Sequence, residues 1–404
     1  MHCLAVIFRR LGPYHVARLN AAARFFKLSV IEYAAADATY AWETLQGEFS
    51  FSRYTITAKT PVGMSAKRHA KARMDSLLSE ISPVACALPG WSMTEALMGL
   101  NWSARNRVPA VVMTESTAMD HQRVWWKEWT KRQIVQQFSA ALAGGSPQAD
   151  YVKRLGLPSE RVFLGYDVVD NDYFASQANR IRAQADEYRR RYSLPIRYFL
   201  ASARFIKKKN LMRLLEAYAD YVAQLRVISG EATEPWHLVL LGDGPLRREV
   251  EAKIAQLHLS GLVHLPGFKQ YNELPVYYAL AKAFIHASTS EQWGLVINEA
   301  MACGLPVLVS NRCGCASDLV KEGENGFTFD PFKTEAISNC MTQLSSMSQD
   351  ELSRLGAASS SIISEWGPER FALGLKSAVE CALAQPLRSP PLISRLIAHA
   401  LIYL

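Results

Sequence analysis

The chain has 404 residues, 49% of them apolar and 20% charged, with 45 Lys and Arg against 37 Asp and Glu and a formal net charge of +8. That length predicts two or three domains with ample core, and the composition excludes a disordered or collagen-like chain. No apolar run in the sequence reaches the ~18 residues that span a bilayer, and the absence of a polybasic tail or nucleic-acid motif removes nucleic acid from the expected partners.

The seven cysteines stand singly except for Cys313 and Cys315. One C-x-C pair without a second pair or nearby histidines does not make a metal site, so free thiols in a reducing cytosol are expected. The first apolar run stops at Arg9 without a basic region before it, which is too short for a signal peptide.

Residues 4–8 read as a buried strand, Gly12 to His15 as a loop and 16–26 as a helix, a start that suits a Rossmann-like domain. A strand at 84–88 leads to a turn with Ser92 as N-cap and a helix to about Arg107. The strand 110–113 ends at Thr114-Glu115-Ser116. Residues 120–132 are helical in pattern, with Trp125 and Trp129 four apart among Arg123, Lys127, Lys131 and Arg132. Tryptophan mixed with Lys and Arg suits a membrane-interfacial helix. One Trp pair does not define a stripe, so tryptophans packed on the sheet are the favoured reading. Strands at 140–143 and 162–165 follow. Asp170-Asn171-Asp172 has the D-x-D spacing for a divalent cation, but an Asx-turn closing the first domain is favoured.

Residues 175–192 read as one polar helix bridging two domains. A strand at 198–201 runs into Arg204-Phe-Ile-Lys-Lys-Lys209-Asn210, and Leu211, Leu214, Leu215 and Tyr218 then have helical spacing. Cations at the carboxyl end of a strand lie where open α/β sheets bind ligands. Arg suits a diphosphate bidentately and Lys adds a point charge; Lys207 and Lys208 read as solvated. Residues 227–235 look like a surface insertion. A strand at 236–241 ends in Gly242-Asp243-Gly244-Pro245, and one at 263–265 precedes Gly267-Phe268-Lys269.

The stretch 283–330 carries the strongest signal. A buried strand at 283–287 is followed by Glu291, Gly294 and a helix over 295–303 that Gly304 and Pro306 close. The unpaired N–H groups and dipole at that helix entrance favour an anion. Glu291 and Glu299, with seven residues between them, frame it. Ionised carboxylates only accept hydrogen bonds, so hydroxyl groups are their natural partners. A diphosphate flanked by hydroxyls describes a nucleotide sugar. One glutamate alone would read as a helix cap; the whole arrangement reads as a site. At the end of the chain a helix from Pro368 reaches about Ala384. Residues 386–404 form an amphipathic tail, with Ile393, Leu396, Ile397, Leu401, Ile402, Arg395 and His399, that packs on the body, dimerises or touches a membrane.

The run Glu291-Gln-Trp-Gly294-Leu-Val-Ile-Asn-Glu299-Ala-Met-Ala-Cys-Gly304-Leu-Pro306 resembles the E-x7-E signature of the family 4 retaining glycosyltransferases (group 1 glycosyltransferases), and Gly314 and Gly326-Phe327 continue it. The resemblance implies an α/β protein of GT-B fold, two Rossmann-like domains with parallel sheets facing a central cleft. Residues 1–175 would be the acceptor domain, 190–366 the nucleotide-sugar domain, and a helix at 368–385 would cross back to the first. It implies catalytic roles for Glu291 on the donor sugar's hydroxyls and for Arg204 and Lys209 on the leaving diphosphate. It implies donor binding by Glu299 at the ribose and by the backbone of Gly294, Leu295 and Val296 at the diphosphate. Phe268 and Lys269 fall at the base, and Gly242 and Gly12 approach the nucleotide. Family members often carry a histidine after the strand at 110–113; Glu115 stands near that place and His121 six residues on, so these two and His15 are cleft candidates. Where the family has a Gly-Gly pair and a glutamate, this chain has Cys313-Gly-Cys-Ala-Ser-Asp318, so a differently shaped loop is expected.

The implied reaction is glycosyl transfer with retention and without metal or cofactor. The donor is a nucleotide-diphosphate sugar of UDP or GDP type and the acceptor a glycan or a lipid-linked molecule, in cell-surface polysaccharide synthesis. The expected place is the cytoplasm, with peripheral contact at the inner face of the membrane. Two alternatives stand beside it: a GT-B sugar-nucleotide epimerase, and a non-catalytic nucleotide-sugar-binding component of a membrane assembly.

Overall fold

The computed structural model describes residues 1–36, 48–229, 234–386 and 390–403. The chain divides into two compact units, Met1–Val169 with Trp366–Leu404, and Asp170–Glu365. The first unit begins β1 (Cys3–Phe8), α1 (Pro13–Ala22), β2 (Lys27–Ala36), β3 (Ser52–Lys59) and α2 (Met64–Ile81). It continues β4 (Ala85–Pro89), α3 (Thr94–Asn106), β5 (Ala110–Thr114), α4 (Trp125–Val135), β6 (Ala140–Ala143), α5 (Ser146–Arg154) and β7 (Val162–Leu164). Its strands, all parallel among the described residues, lie in the order β3-β2-β1-β4-β5-β6-β7.

The sheet is apolar on both faces because helices cover both. Along β1, Leu4, Val6 and Phe8 enter the core on one face, and Ala5 and Ile7 enter the core on the other. Such two-sided burial lets a strand read as a continuous apolar run, which is why β1, β5 and β6 were legible. The segment from β2 to α2 was passed over in the sequence. β2 holds a buried Glu32, which is tolerated because the Arg53 guanidinium donates to it at 2.7 Å from β3 and the Leu11 N–H donates to it at 2.9 Å.

The second unit holds α6 (Asn171–Arg182), α7 (Ala185–Tyr192), β8 (Tyr198–Ser202), α8 (Leu211–Ser229), β9 (His237–Leu241), α9 (Arg247–Gln256) and β10 (Val263–Gly267). There follow α10 (Leu274–Leu280), β11 (Ala283–His286), α11 (Leu295–Ala302), β12 (Val307–Ser310), α12 (Ala316–Leu319), β13 (Gly326–Phe329), α13 (Thr334–Ser345) and α14 (Gln349–Ser364). Its parallel strand order is β10-β9-β8-β11-β12-β13. The chain then returns to the first unit. There α15 (Pro368–Ala384) buries Phe371, Ala372, Leu375, Ala378, Val379 and Ala382 beside α1, and α16 (Leu392–Leu401) packs Ala398 and Ile402 into the opposite core.

Several boundaries differ from the expectation. The first helix starts at Pro13, not Val16, because a proline's fixed φ and missing N–H suit the first helical position. Met93, not Ser92, precedes α3, and no side chain caps it. The expected single bridging helix breaks at Ala183–Gln184 into α6 and α7. In place of an insertion from Val227, α8 runs on to Ser229; residues 230–233 lie outside the described residues. Asp170 accepts the Tyr173 N–H at 2.9 Å and caps α6, the turn role favoured for it.

Candidate functional site

Open parallel sheets bind ligands outside the carboxyl ends of their strands, at the point where the strand order reverses. In the second unit β8 lies between β9 and β11. The reversal therefore falls between β8 and β11, with the 203–210 loop leaving one and the 287–294 loop leaving the other. These loops are stitched together: Thr289 N–H donates to the Lys208 carbonyl at 2.8 Å, and Asn210 Nδ2 donates to the Ala287 carbonyl at 3.1 Å.

At that point five side chains converge. Lys209 Nζ donates to Glu291 Oε2 in an ion pair in which both side chains are almost wholly buried. Lys208 Nζ stands 3.7 Å from Glu291 Oε1 with its side chain 41% exposed, so it is solvated as expected and also adds a charge beside the carboxylate. Ser288 Oγ donates to Glu291 Oε2 at 3.3 Å. His286, buried at the end of β11, places Nε2 at 3.3 Å from the same oxygen and 3.0 Å from Ser288 Oγ. Because a carboxylate only accepts, the tautomer facing it carries its proton on Nε2.

Burial pushes the Glu291 carboxyl up, but the His286 hydrogen bond and the Lys209 and Lys208 charges outweigh it and hold the group well below the usual carboxylate range. Burial and then Lys209 push His286 down, more than Glu291 pulls it up. The imidazole is therefore neutral and the glutamate ionised at neutral pH. Both depressions give stability that is lost on acidification: His286 resists its proton as pH falls below about 6.5, and Glu291 below about 4.5. The urea midpoint should fall through both windows, and His286→Gln should flatten the decline below pH 6.5. An unaltered profile in that variant would remove His286 as a source of the acid sensitivity.

The helix entrance adjoins this cluster. Gly294 precedes α11 at φ 107°, a left-handed value that glycine adopts without strain, and a Cβ there would lie 3.0 Å from Ile297 Cδ1. The first-turn N–H groups of Leu295 and Val296, both half-buried, have no carbonyl within the helix. Trp293 is buried and donates from Nε1 to Asn298 Oδ1 at 2.9 Å, which locks the turn into α11. The unusual Cys313–Asp318 stretch has a definite role. Glu291 N–H donates to the Arg312 carbonyl at 3.2 Å, and Gly314 N–H donates to the Glu291 carbonyl at 2.9 Å, forming a short parallel bridge. Cys313 and Cys315 are buried free thiols behind it.

The remaining second-unit candidates are more dispersed. Glu299 is fully buried and accepts the Tyr278 hydroxyl at 2.5 Å. Arg204 is exposed at the tip of the β8 loop. That loop is strapped to the turn after β9 by Phe205 N–H donating to the Asp243 carbonyl at 2.8 Å. Gly242 stands at φ 123°, and a Cβ there would meet the Ala203 carbonyl at 1.9 Å, so close backbone approach requires glycine. Phe268 is exposed after β10; Lys269 stands 3.8 Å from Glu273 and 5.7 Å from the Tyr277 ring centre.

In the first unit Gly12 begins α1 and its N–H donates to His15 Nδ1 at 2.9 Å, a reciprocal cap with His15 as third helical residue. Burial and the Arg18 charge push His15 well below its ordinary value. Glu115 lies close enough to repel the buried Asp167, whose carboxyl is held well above its usual range by burial first and that repulsion second, against Arg18. Arg18 itself is buried over the Tyr166 ring at 4.5 Å and donates to the Tyr166 carbonyl at 2.8 Å. His121 is exposed in the loop before α4.

His286, Ser288 and Lys208 were missed in the sequence. A histidine ending an apolar strand followed two residues later by a serine was the available signal.

Residues 186–360 match the family described as glycosyl transferases group 1. Alpha-D-kanosaminyltransferase of Streptomyces kanamyceticus is 28% identical over 220 residues, 54% of this chain and 54% of that protein. The sulfoquinovosyl transferase SQD2 of Arabidopsis thaliana is 30% identical over 187 residues, 46% of this chain and 32% of that protein. The chain thus spans about half or less of these curated relatives. Among solved structures, Anabaena Alr3699/HepE in complex with UDP and glucose superposes with a TM-score of 0.72 at 18% identity, covering 94% of this chain and all of that one. The two Rossmann-like parallel sheets are those of the GT-B fold, and a segment of the second unit is similar to the group 1 glycosyl transferases.

Proposed function

We propose that the protein is a retaining glycosyltransferase that moves a sugar from a UDP- or GDP-type nucleotide sugar to a hydroxyl of a glycan, glycolipid or similar acceptor, without a metal. The observation that carries this reading is the Glu291 carboxylate, fixed by Lys209, Lys208, His286 and Ser288 beside the entrance of α11. An ionised acceptor group held rigidly there is suited to orient donor hydroxyls, and the cations beside it to neutralise a leaving diphosphate. Negative charge grows on the diphosphate as the glycosidic bond breaks. Arg204, Lys209 and the first-turn N–H groups of Leu295 and Val296 stabilise it. A phosphate oxygen of the donor then takes the acceptor's proton on the same face, so no side-chain base is required. In this reading the first unit supplies the acceptor's binding residues, and Phe268 and Lys269 hold the base. We place the reaction in cell-surface glycan synthesis, in the cytoplasm at the inner face of the membrane.

The test is binding of UDP, GDP, ADP and CDP with and without a chelator. Selective binding that survives chelation supports the metal-free site. Binding that vanishes with chelation returns Asp170 and Asp172 to consideration as metal ligands, and no binding at all rejects the donor site. Arg204→Ala is expected to weaken the selected diphosphate by more than about 1 kcal/mol, the scale of a hydrogen bond to a charged group. Product formation from the matching nucleotide sugar and an acceptor separates transfer from epimerisation, which consumes no acceptor.

A further inference from the structure

We propose that α4 and α16 together form one docking surface for an anionic lipid bilayer. Three tryptophans of α4 are exposed, Trp125 at 81%, Trp126 at 52% and Trp129 at 45%, instead of packing on the sheet as expected from sequence. The helix buries Ile134 and Val135 instead, near its C-terminal end. On α16, Leu392 at 70%, Ile393 at 54% and Leu396 at 59% face solvent while Ser394, Ala398 and Ile402 face the protein. Large apolar side chains exposed in groups mark an interaction surface.

The two helices are far apart in sequence but adjacent in the first unit. Ser394 Oγ donates to Gln133 Oε1 at 2.8 Å, and Gln137 Nε2 donates to the Ser394 carbonyl at 2.9 Å. Trp126, Trp129 and Gln133 share one face of α4 by their spacing. Ser394 lies on the buried face of α16, and Leu392, Ile393 and Leu396 lie on its exposed face. The contact therefore joins α4 and α16 within the first unit, with exposed tryptophans on one helix and exposed aliphatic side chains on the other.

Charge selects the occupant. Lys127, Lys131, Arg132 and Arg395 stand on these helices against Glu128 alone. Glu128 is already engaged by Arg123 and Lys131. Lys127 is exposed and its Nζ sits 5.4 Å from the Trp126 ring centre, which puts a cation beside the tryptophans. Tryptophan and aliphatic side chains on helices edged with Lys and Arg match the headgroup boundary of a bilayer with negative lipids. Among the described residues no helix is long and apolar enough to cross a membrane, so this contact is a surface one. It gives the membrane partner of the proposed function a location, yet it rests on no step of the transfer reaction.

The test is cosedimentation of the full chain with vesicles of phosphatidylcholine alone or with phosphatidylglycerol added, without donor or acceptor. Binding is expected with phosphatidylglycerol and should weaken as salt rises. Trp125→Ser with Trp129→Ser and Leu396→Ser should reduce it by roughly tenfold or more. Lys127→Glu with Arg132→Glu should weaken it and flatten its salt dependence. Exposed positions leave the fold intact, so the variants should keep the parent's unfolding midpoint. Absence of binding at low salt, or undiminished binding by the Trp125, Trp129 and Leu396 variant, would overturn the proposal. A dimer in light scattering that the same substitutions abolish would also overturn it, assigning the surface to a second copy.

Discussion

Glu291→Ala is expected to lower kcat for sugar transfer by about 10²–10³-fold, the scale seen when one preorganised polar contact to the reacting centre is lost. The nucleoside diphosphate should bind as well as before or more tightly. The reason is the ion pair: Lys209 is committed to Glu291, and both are largely shielded from water. Removing the carboxylate frees the ammonium for phosphate oxygens. Calorimetry with the selected diphosphate, alongside initial rates with the matching nucleotide sugar, separates the two effects. Unchanged transfer would sink the assignment of Glu291 to the donor sugar, whatever happened to binding.

Lys209→Ala should do the reverse. Diphosphate affinity is expected to fall by roughly tenfold to a hundredfold, since a charge-assisted contact to the leaving group disappears. The folded state should also lose about 1–3 kcal/mol. Glu291 would keep Lys208 at 3.7 Å, Ser288 and the neutral His286, but not its best-placed cation. Denaturant melts with and without the diphosphate measure both quantities in one series. If affinity held while stability fell, Lys209 would be a partner of Glu291 only, and the diphosphate would rest on Arg204 and the α11 entrance.

The clearest legible part of the chain was β11 to β12. Every cue there is local: a short apolar strand, Gly294 at a left-handed turn, good helix formers, then Gly304 and Pro306 to stop them. The cations after β8 were legible for the same reason, as a charged loop closing an apolar strand. The His286–Ser288 support of Glu291 was hidden because a histidine at the end of β11 looks like any other strand end until its neighbours are known. The proximity of Lys208 to Glu291 was hidden because the two stand 83 positions apart. The β2–β3 segment was missed because Glu32 breaks the apolar pattern, and only Arg53 from the adjoining strand makes that burial tolerable.

The tryptophans of α4 mark the limit of pattern reading. Their spacing was visible, but periodicity does not say whether an apolar face meets the core or the solvent. That was settled by what α3, β5 and β6 already fill and by α16 arriving beside Gln133 from the far end of the chain. What the sequence by itself determined is local: the alternation of buried strands and helices, the caps and stops, and the glutamates and lysines of the candidate site, since propensity and hydrophobic period act over a few residues. The tertiary structure decided the strand order. That order places β8 beside β11, brings Lys209 to Glu291 across 82 positions, and joins α4 to α16, because pairings at such distances are fixed by which surfaces bury one another and not by any signal within a single element.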